Sequence, residues 1–394
     1  MKLTANRMAL LQAVKTALKA VGNRKDKPEL SGLLFEADAN SGIISIIGTN
    51  THTQIQCRLR NEHVLDSGSI IMKPVLTEIL KLLPGDTVEI EIKTGNVMEI
   101  KAGQARYILP FLDSKKFPKM QIPFPEDFIC VKGINSLIKR TIFASESHTE
   151  SSQRKSLQFV KLSFANGHTT AEATNGNIAA LSKTPHGSDG DLDIILHENA
   201  LNILSSIVTP SEELYVGIAG KFAVFMKEDM FFSSQLYDGH YIEGSKLVQY
   251  VKPRYKATMD AKDLYELAGN VATILCTGDD QCVNLRIADN TVSMQTQTAT
   301  GTSKAEISAT NTVPTDADGF NYNPKWLLDC LKQTSGPLTL SLDPRGFMLI
   351  EANQSQYCVS PRHPAQIRVP KPKTEKKTKS RATSKTQAAV PAAA

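Results

Sequence analysis

A domain-length internal repeat limits this chain more than any other feature of its 394 residues. Three segments share one pattern: an amphipathic helix, a short polar turn, an alternating strand, a Gly-containing turn and a second strand. Residues 73–83 (KPVLTEILKLL) lead into Val88, Ile90 and Ile92 alternating with acids, the turn Thr94-Gly95-Asn96 and a strand over 97–100. Residues 197–207 (HENALNILSSI) lead into Leu214, Val216 and Ile218, the turn Gly220-Lys221, and Phe222, Val224 and Met226. Residues 323–333 (NPKWLLDCLKQ) lead into Leu338, Leu340 and Leu342, the turn Pro344-Arg345-Gly346, and Phe347 and Leu349. The leucine spacing of each first part is helical, and the period of two that follows belongs to half-buried strands. The equivalent leucines Leu80, Leu204 and Leu331 lie 124 and 127 residues apart.

A second element recurs at nearly the same interval. Helical patterns begin over residues 8–21, 134–145 and 261–275, with Leu10, Leu137 and Leu264 each 127 residues apart. Strand patterns follow each: 33–37 with 43–47, 159–164 with 169–173, and 283–287 with 292–296. The unit is therefore helix, strands, helix, strands, three times over. Its length is that of a domain, not the ~20–50 residues of a solenoid repeat. Proline-flanked stretches at 123–127 and 253–255 mark the joins. The predicted fold class is α+β: three similar domains, 1–124, 127–252 and 255–364, with helices on one face of antiparallel sheets.

The net charge of +5 suggests a nucleic-acid binder until it is located along the chain. From residue 366 onward there are eight basic residues and one acid, a net +7, so the rest carries −2. The tail, 369–394, has no aromatic residue and is rich in Lys, Thr, Ala and Pro, which reads as disordered. No apolar run approaches the ~18 residues of a membrane span, and Met1-Lys2-Leu3-Thr4-Ala5-Asn6-Arg7 is too polar for a signal peptide. Six widely spaced cysteines with no CxxC pair fit reduced thiols, so a cytoplasmic protein is expected.

Enzyme signatures do not assemble. Gly217-Ile218-Ala219-Gly220-Lys221-Phe222 lacks P-loop spacing and falls in a repeated hairpin turn. Asp189, Asp191 and Asp193 lack the glycine and terminal Glu of a calcium loop, and an exposed polar loop accounts for them. Eight histidines show no HExxH, and Cys276 and Cys282 flank a turn-like Thr277-Gly278-Asp279-Asp280. No catalytic residue, cofactor or metal is expected.

Threefold repetition suggests a curved, pseudo-symmetric object whose head-to-tail association closes into a ring if the rotation fits. In the helix over 8–21, Leu11, Val14, Leu18 and Val21 form the apolar stripe, while Gln12, Lys15 and Lys19 share another side. Lys139 and Arg140 follow on the equivalent second helix, and Lys325 and Lys332 on the last. Exposed helices carry lysines in any case, and the helices over 197–207 and 261–275 are hardly basic.

Several ordered motifs carry a family resemblance: Met1-Lys2-Leu3, Pro28-Glu29-Leu30, Gly48-Thr49-Asn50, Ala173-Thr174-Asn175-Gly176, Asp238-Gly239-His240-Tyr241 and Tyr357-Cys358-Val359-Ser360-Pro361. Across residues 1–363 the chain resembles the bacterial DNA sliding clamp, the beta subunit of DNA polymerase III. The resemblance implies a head-to-tail homodimer encircling duplex DNA without sequence preference. It implies as partners a DNA polymerase, a clamp-loader ATPase and clamp-binding repair proteins, with no membrane and a place on the nucleoid. Arg24 matches a family position near DNA, to which Lys15, Lys19, Lys139 and Arg140 are added here. Ring closure would set Tyr107 and Leu109 against Ile274 and Leu275 of the partner copy. The partner-peptide pocket would involve Leu157, Thr174, Gly176, Ile178, Ala179, Ile242, Lys246, Leu247, Val359, Ser360, Pro361 and Arg362.

The match departs from the family where Asn175-Gly176-Asn177-Ile178-Ala179 replaces Asp-Gly-His/Tyr-Arg-Leu, where Ile242 replaces Pro, and where Lys246 replaces Arg. The chain also runs past the usual Met-Pro-x-Arg-Leu ending. A retuned pocket is expected. Two other readings follow from the residues: a divergent paralogue of a mobile element or phage serving a specialised polymerase, and a non-ring DNA-binding scaffold acting through its basic tail.

Overall fold

Six leucines at the repeat interval, Leu10, Leu137 and Leu264 with Leu80, Leu204 and Leu331, are all buried at 2% exposure or less. They belong to three helix pairs in a computed structural model that describes residues 1–22, 27–60, 62–146, 154–186, 190–275, 282–298 and 301–362. The helices are α1 (Arg7–Leu18), α2 (Leu76–Leu82), α3 (Ile134–Lys139), α4 (Glu198–Ile207), α5 (Gly244–Tyr250), α6 (Ala261–Ala272) and α7 (Pro324–Lys332). α1 packs on α2, α3 on α4, and α6 on α7.

Their starts follow the sequence. Asn6 and Asp260 cap α1 and α6, each side chain accepting a backbone N–H from the first turn at 2.9 Å. Asn323 caps α7 in the same way, with Pro324 at its first position. α3 is shorter than the pattern over 134–145. The Thr141 hydroxyl donates back to the Leu137 and Ile138 carbonyls, and a single 3-10 turn, Ile142–Ala144, takes over.

Among the described residues all strand pairs are antiparallel and form four sheets. One five-stranded sheet runs His63–Asp66, Lys2–Asn6, Thr87–Lys93, Val97–Ala102, Ala105–Pro110. A four-stranded sheet runs Gly301–Ser308, Thr291–Thr298, Val283–Ala288, Phe320–Tyr322. Between them lie two nine-stranded sheets, each assembled from strands of two successive repeats. In the first, Thr53–Leu59 pairs with Met230–Gln235 over five positions, from Thr53↔Ser234 to Cys57↔Met230. In the second, Ile178–Pro185 pairs with Ser355–Val359, also over five positions, from Ile178↔Val359 to Ser182↔Ser355. These two seams join the repeats, and one large core runs beneath the helix pairs.

The seams are copies of one another. Cys57 and Ser182 lie opposite the buried Ile46 and Ala171 of the preceding strand, and Ala305 lies opposite the buried Met294 in the third repeat. Met230 and Ser355 open their strands after two-residue turns, as Ala105 does in the first repeat. Gly301–Ser308 and Ala105–Pro110 hold the corresponding strand positions in the third and first repeats. Each is the outermost strand of its sheet, without a pairing partner on its outer side among the described residues.

Close packing fixes the turns. A Cβ on Gly48 would lie 2.1 Å from the Ala17 carbonyl oxygen, so α1 reaches the sheet only because this position is glycine. The next two residues build a turn: Thr49 donates to the Thr53 carbonyl, and Asn50 Oδ1 accepts from the His52 and Thr53 N–H groups. Thr174 and Asn175 repeat it, donating to the Ile178 carbonyl and accepting from Asn177 and Ile178.

Candidate functional site

Three surfaces carry the residues singled out in the sequence. On α1, Met8, Gln12, Lys15 and Lys19 are exposed at helical spacing, opposite the buried Leu10, Leu11, Val14 and Ala17. Lys15 and Lys19 have no ion-pair partner among the described residues. They border a groove of about 570 Å³ whose far wall includes Glu212, paired to Lys227 at 2.5 Å. Lys139 on α3 and Lys325 and Lys332 on α7 are likewise exposed. Asp329, between those two lysines, is half-buried; burial raises its pKa against their pull. Lys81 and Lys262 are neutralised by Glu78 and Glu266. Positive charge on the helix layer is therefore real but uneven. Arg140 parts from Lys139: it lines a cavity of about 120 Å³ with Gln333, Thr334, Ser335, Ala352, Asn353 and Ser355, at the second seam. Arg24 and the tail lie outside the described residues.

The second surface is the pair of open edges. On Ala105–Pro110, Ala105, Tyr107 and Leu109 are half-buried against the core, while Arg106, Ile108 and Pro110 point outward. Arg106 and Lys101 lie over Glu99 and leave its side chain 2% exposed; the Lys101 contact, at 3.0 Å, leads in holding that carboxyl below its usual pKa. On Gly301–Ser308, Ala305 and Ile307 pack inward while Lys304 and Glu306 point outward. α6 crosses this strand, and Ile274 and Leu275, half-buried, follow its end. Tyr107 and Leu109 belong to one sheet, Ile274 and Leu275 to the helix over another, and a single chain does not bring them together.

The third surface lies where α5 crosses the second seam, packed on His168–Thr174, Ile178–Pro185 and Ser355–Val359. Ala179, Val248, Val251, Leu349 and Cys358 form a buried cluster beneath α5, with Leu181 and Phe347 packed against them. Glu172 anchors α5 by accepting the Ser245 N–H at 2.9 Å, and Tyr241 donates to the Glu172 carbonyl at 2.8 Å. Of the expected pocket residues, Ile242, Lys246 and Leu247 are exposed here, with Lys246 paired to Glu243. Gly176 is also exposed. Ile178 and Val359 pair across the seam with their side chains in the main core. Leu157 is buried on a single turn, Lys155–Gln158, and the Thr174 hydroxyl is held within its turn. Ser360 donates its N–H to the Asn177 carbonyl, Pro361 abuts Gly346, and the Arg362 guanidinium lies over Trp326, 5.3 Å from the ring centre.

Sequence reasoning missed the neighbours that complete this face. Asp343, fully buried, accepts the Arg345 and Phe347 N–H groups and the Arg345 guanidinium. That guanidinium stacks on Tyr250 at 4.4 Å and Phe347 at 5.2 Å. The turn Pro344-Arg345-Gly346 was visible only as repeat punctuation.

No helix among the described residues is long and apolar enough to cross a membrane, and no group of three metal-ligating side chains converges among them. Residues 1–121 match the family described as DNA polymerase III beta subunit, N-terminal domain. Over 355 residues the chain is 23% identical to the beta sliding clamp of Bacillus subtilis strain 168, covering 85% of this chain and 91% of that one. In fold it matches a putative DNA polymerase III beta subunit from Eubacterium rectale, with TM-score 0.84 and 18% identity over 92% of this chain and all of the other. The Bacillus subtilis sliding-clamp structure matches with TM-score 0.82 at 23% identity, over 92% of this chain and 99% of that one. The fold is that of the bacterial sliding clamps, and residues 1–121 match the N-terminal domain of that family.

Proposed function

We infer that the chain is a DNA sliding clamp, a non-enzymatic processivity factor that encircles duplex DNA as a head-to-tail homodimer and tethers a DNA polymerase. The observation that carries this is that the strands at the seam position in the first and third repeats, Ala105–Pro110 and Gly301–Ser308, are both open edges, which leaves a third seam unformed among the described residues. Two copies complete it twice and close a ring of six repeats, three per chain at 1–124, 127–252 and 255–364. Copying the two internal seams sets its register: Ala105 opposite Ala305, Arg106 opposite Lys304, Leu109 opposite Gly301. Tyr107 and Leu109 then continue the helix-side face toward the partner's α6, with Ile274 and Leu275 beside them.

A ring holds DNA by topology, so a body at −2 with scattered lysines suffices; weak, sequence-independent phosphate contacts permit sliding. Lys15, Lys19 and Lys139 are the proposed contacts, with Arg24 beside them in sequence and Arg140 at the seam. Loading a closed ring requires its opening, which makes a clamp-loader ATPase a proposed partner. Polymerase and repair proteins are proposed to dock on the α5 face through the pocket residues named above. Protein loaded onto nicked circular DNA is expected to survive high salt and to be lost when the circle is cut. Equal retention on linear DNA overturns the ring reading.

A further inference from the structure

Arg140 is a half-buried cation without an acceptor. It ends α3 in the second repeat and lines the cavity of about 120 Å³ whose other walls, 333–335 and the hairpin 352–355, belong to the third. Among the described residues no hydrogen bond or ion pair reaches its guanidinium, and its Nε is sealed from solvent. A second unpaired group stands beside it. Tyr357 is fully buried, and its hydroxyl, close to Arg140, Thr334 and Ser355, makes no well-formed hydrogen bond. The neutral groups of the wall are already engaged. The Thr334 hydroxyl donates to the Cys330 carbonyl at 2.8 Å, Asn353 Nδ2 donates to the Ser335 carbonyl at 2.6 Å, and the Ser182 and Ser355 hydroxyls share one bond at 2.9 Å. The Cys330 and Leu331 carbonyls at the end of α7 also accept the Gln333 and Thr334 N–H groups. No carboxylate is among the described residues that line the cavity.

An unpaired guanidinium and phenol at a buried joint cost free energy, so their acceptor comes from outside the chain. Water satisfies a phenol, but only an anion also balances the charge. The cavity is several times the ~10–15 Å³ that one water requires. Confined between a helix end and a hairpin, it suits a compact ion better than a DNA phosphate flanked by two sugars. We propose that this cavity binds one small tetrahedral oxyanion of the phosphate class, held by the Arg140 fork with the Tyr357 hydroxyl as a further donor. The ion ties the second repeat to the third beside their strand seam, and Arg140 serves that joint instead of the DNA face.

The test titrates the full-length protein calorimetrically with inorganic phosphate, ionic strength being held constant with sodium chloride. One site per chain is expected, with Kd on the order of 1 mM. Arg140→Gln weakens binding about tenfold, and Arg140→Lys, which keeps the charge but not the fork, falls between. Tyr357→Phe weakens it about threefold and keeps the test open if Arg140→Gln misfolds. Lys139→Gln, at the exposed neighbouring position, leaves it unchanged and so separates a built site from general attraction to basic surface. Phosphate at 10 mM should raise the unfolding midpoint of the unaltered protein by about 2 °C and leave that of Arg140→Gln where it was. No phosphate binding by the unaltered protein, or equal binding by Arg140→Gln, overturns the proposal. A fall of about one in the salt slope on duplex DNA for Arg140→Gln also overturns it, because it returns Arg140 to the DNA face.

Discussion

If ring closure repeats the internal seams, Lys304 of one copy faces Arg106 of the other, two like charges directly across a strand pair. Lys304→Glu should therefore tighten the dimer. Directly opposed charges on a sheet surface contribute roughly 0.2–1 kcal/mol, favourable or unfavourable by sign. Reversing one of them changes a joint by about 1 kcal/mol. The ring has two identical joints, so the dimer gains about 2 kcal/mol, or about 30-fold in dissociation constant. Within its own sheet Lys304 lies opposite Gln295, so the substitution leaves no ion pair broken in the protomer. Glu306, two residues along, is only diagonal to Arg106, and Glu306→Lys should weaken the dimer by less.

Sedimentation velocity over a dilution series reads both constants, and 1 M salt should erase most of the difference at these exposed positions. A register slipped by two residues sets Arg106 opposite Glu306. It makes the opposite forecast: Glu306→Lys strongly weakening, Lys304→Glu near neutral. That outcome, or a weaker dimer for Lys304→Glu, refutes the copied seam. Cysteine pairs decide independently. Arg106→Cys with Lys304→Cys should cross-link between copies, because directly opposed Cβ atoms, about 4.5–5.5 Å apart, need to close by only about 1 Å to reach the ~3.5–4.5 Å of a disulfide. Arg106→Cys with Glu306→Cys should not.

Replacing Lys15 and Lys19 with Gln should lower the slope of log affinity against log salt on duplex DNA by about two, since each phosphate contact contributes about 0.9; an unchanged slope removes α1 from the DNA face. Gly48→Ala forces a Cβ to 2.1 Å from the Ala17 oxygen and should cost about 3 kcal/mol in urea denaturation. Burial pushes the thiols of Cys57 and Cys358 from the usual 9.0 up to about 12. Folding thus favours the protonated thiol: its contribution is complete below about pH 9 and is lost as pH rises toward 12, up to about 4 kcal/mol for each thiol. Native protein should resist iodoacetamide at these two cysteines at pH 8, as read by peptide mass spectrometry, and lose unfolding free energy steadily above pH 9.

Helix positions were legible because each buried leucine stripe is a local pattern. Leu10, Leu137 and Leu264 recur at one interval and are buried at equivalent places in α1, α3 and α6. The seams were not legible. Whether Thr53–Leu59 pairs within its own repeat or with Met230–Gln235 is a long-range choice, and both options satisfy the same alternation. Thr174 illustrates a different limit. As a family motif it marks a pocket, yet the same hydroxyl-to-carbonyl turn recurs at Thr49, so much of that motif is explained by turn geometry. Lys139 and Arg140 are adjacent in sequence but occupy an exposed helix surface and a seam cavity, a separation that charge counting does not see.

The departure at Ile178 now has a structural consequence. The resemblance calls for an arginine there, but in this chain the Ile178 side chain is 2% exposed and shares the main core with Val359 across the seam. Basic character on the α5 face comes from the neighbouring hairpin instead, through Arg345 and its buried partner Asp343. Ile178→Arg should therefore fail to restore a family-like pocket. It places a guanidinium in the apolar core that Ile178 shares, a cost of several kcal/mol. The expected result is a large fall in unfolding midpoint with no gain in binding of a polymerase peptide to the α5 face. A stable Ile178→Arg protein that binds such a peptide more tightly would show that position 178 still faces the docking site.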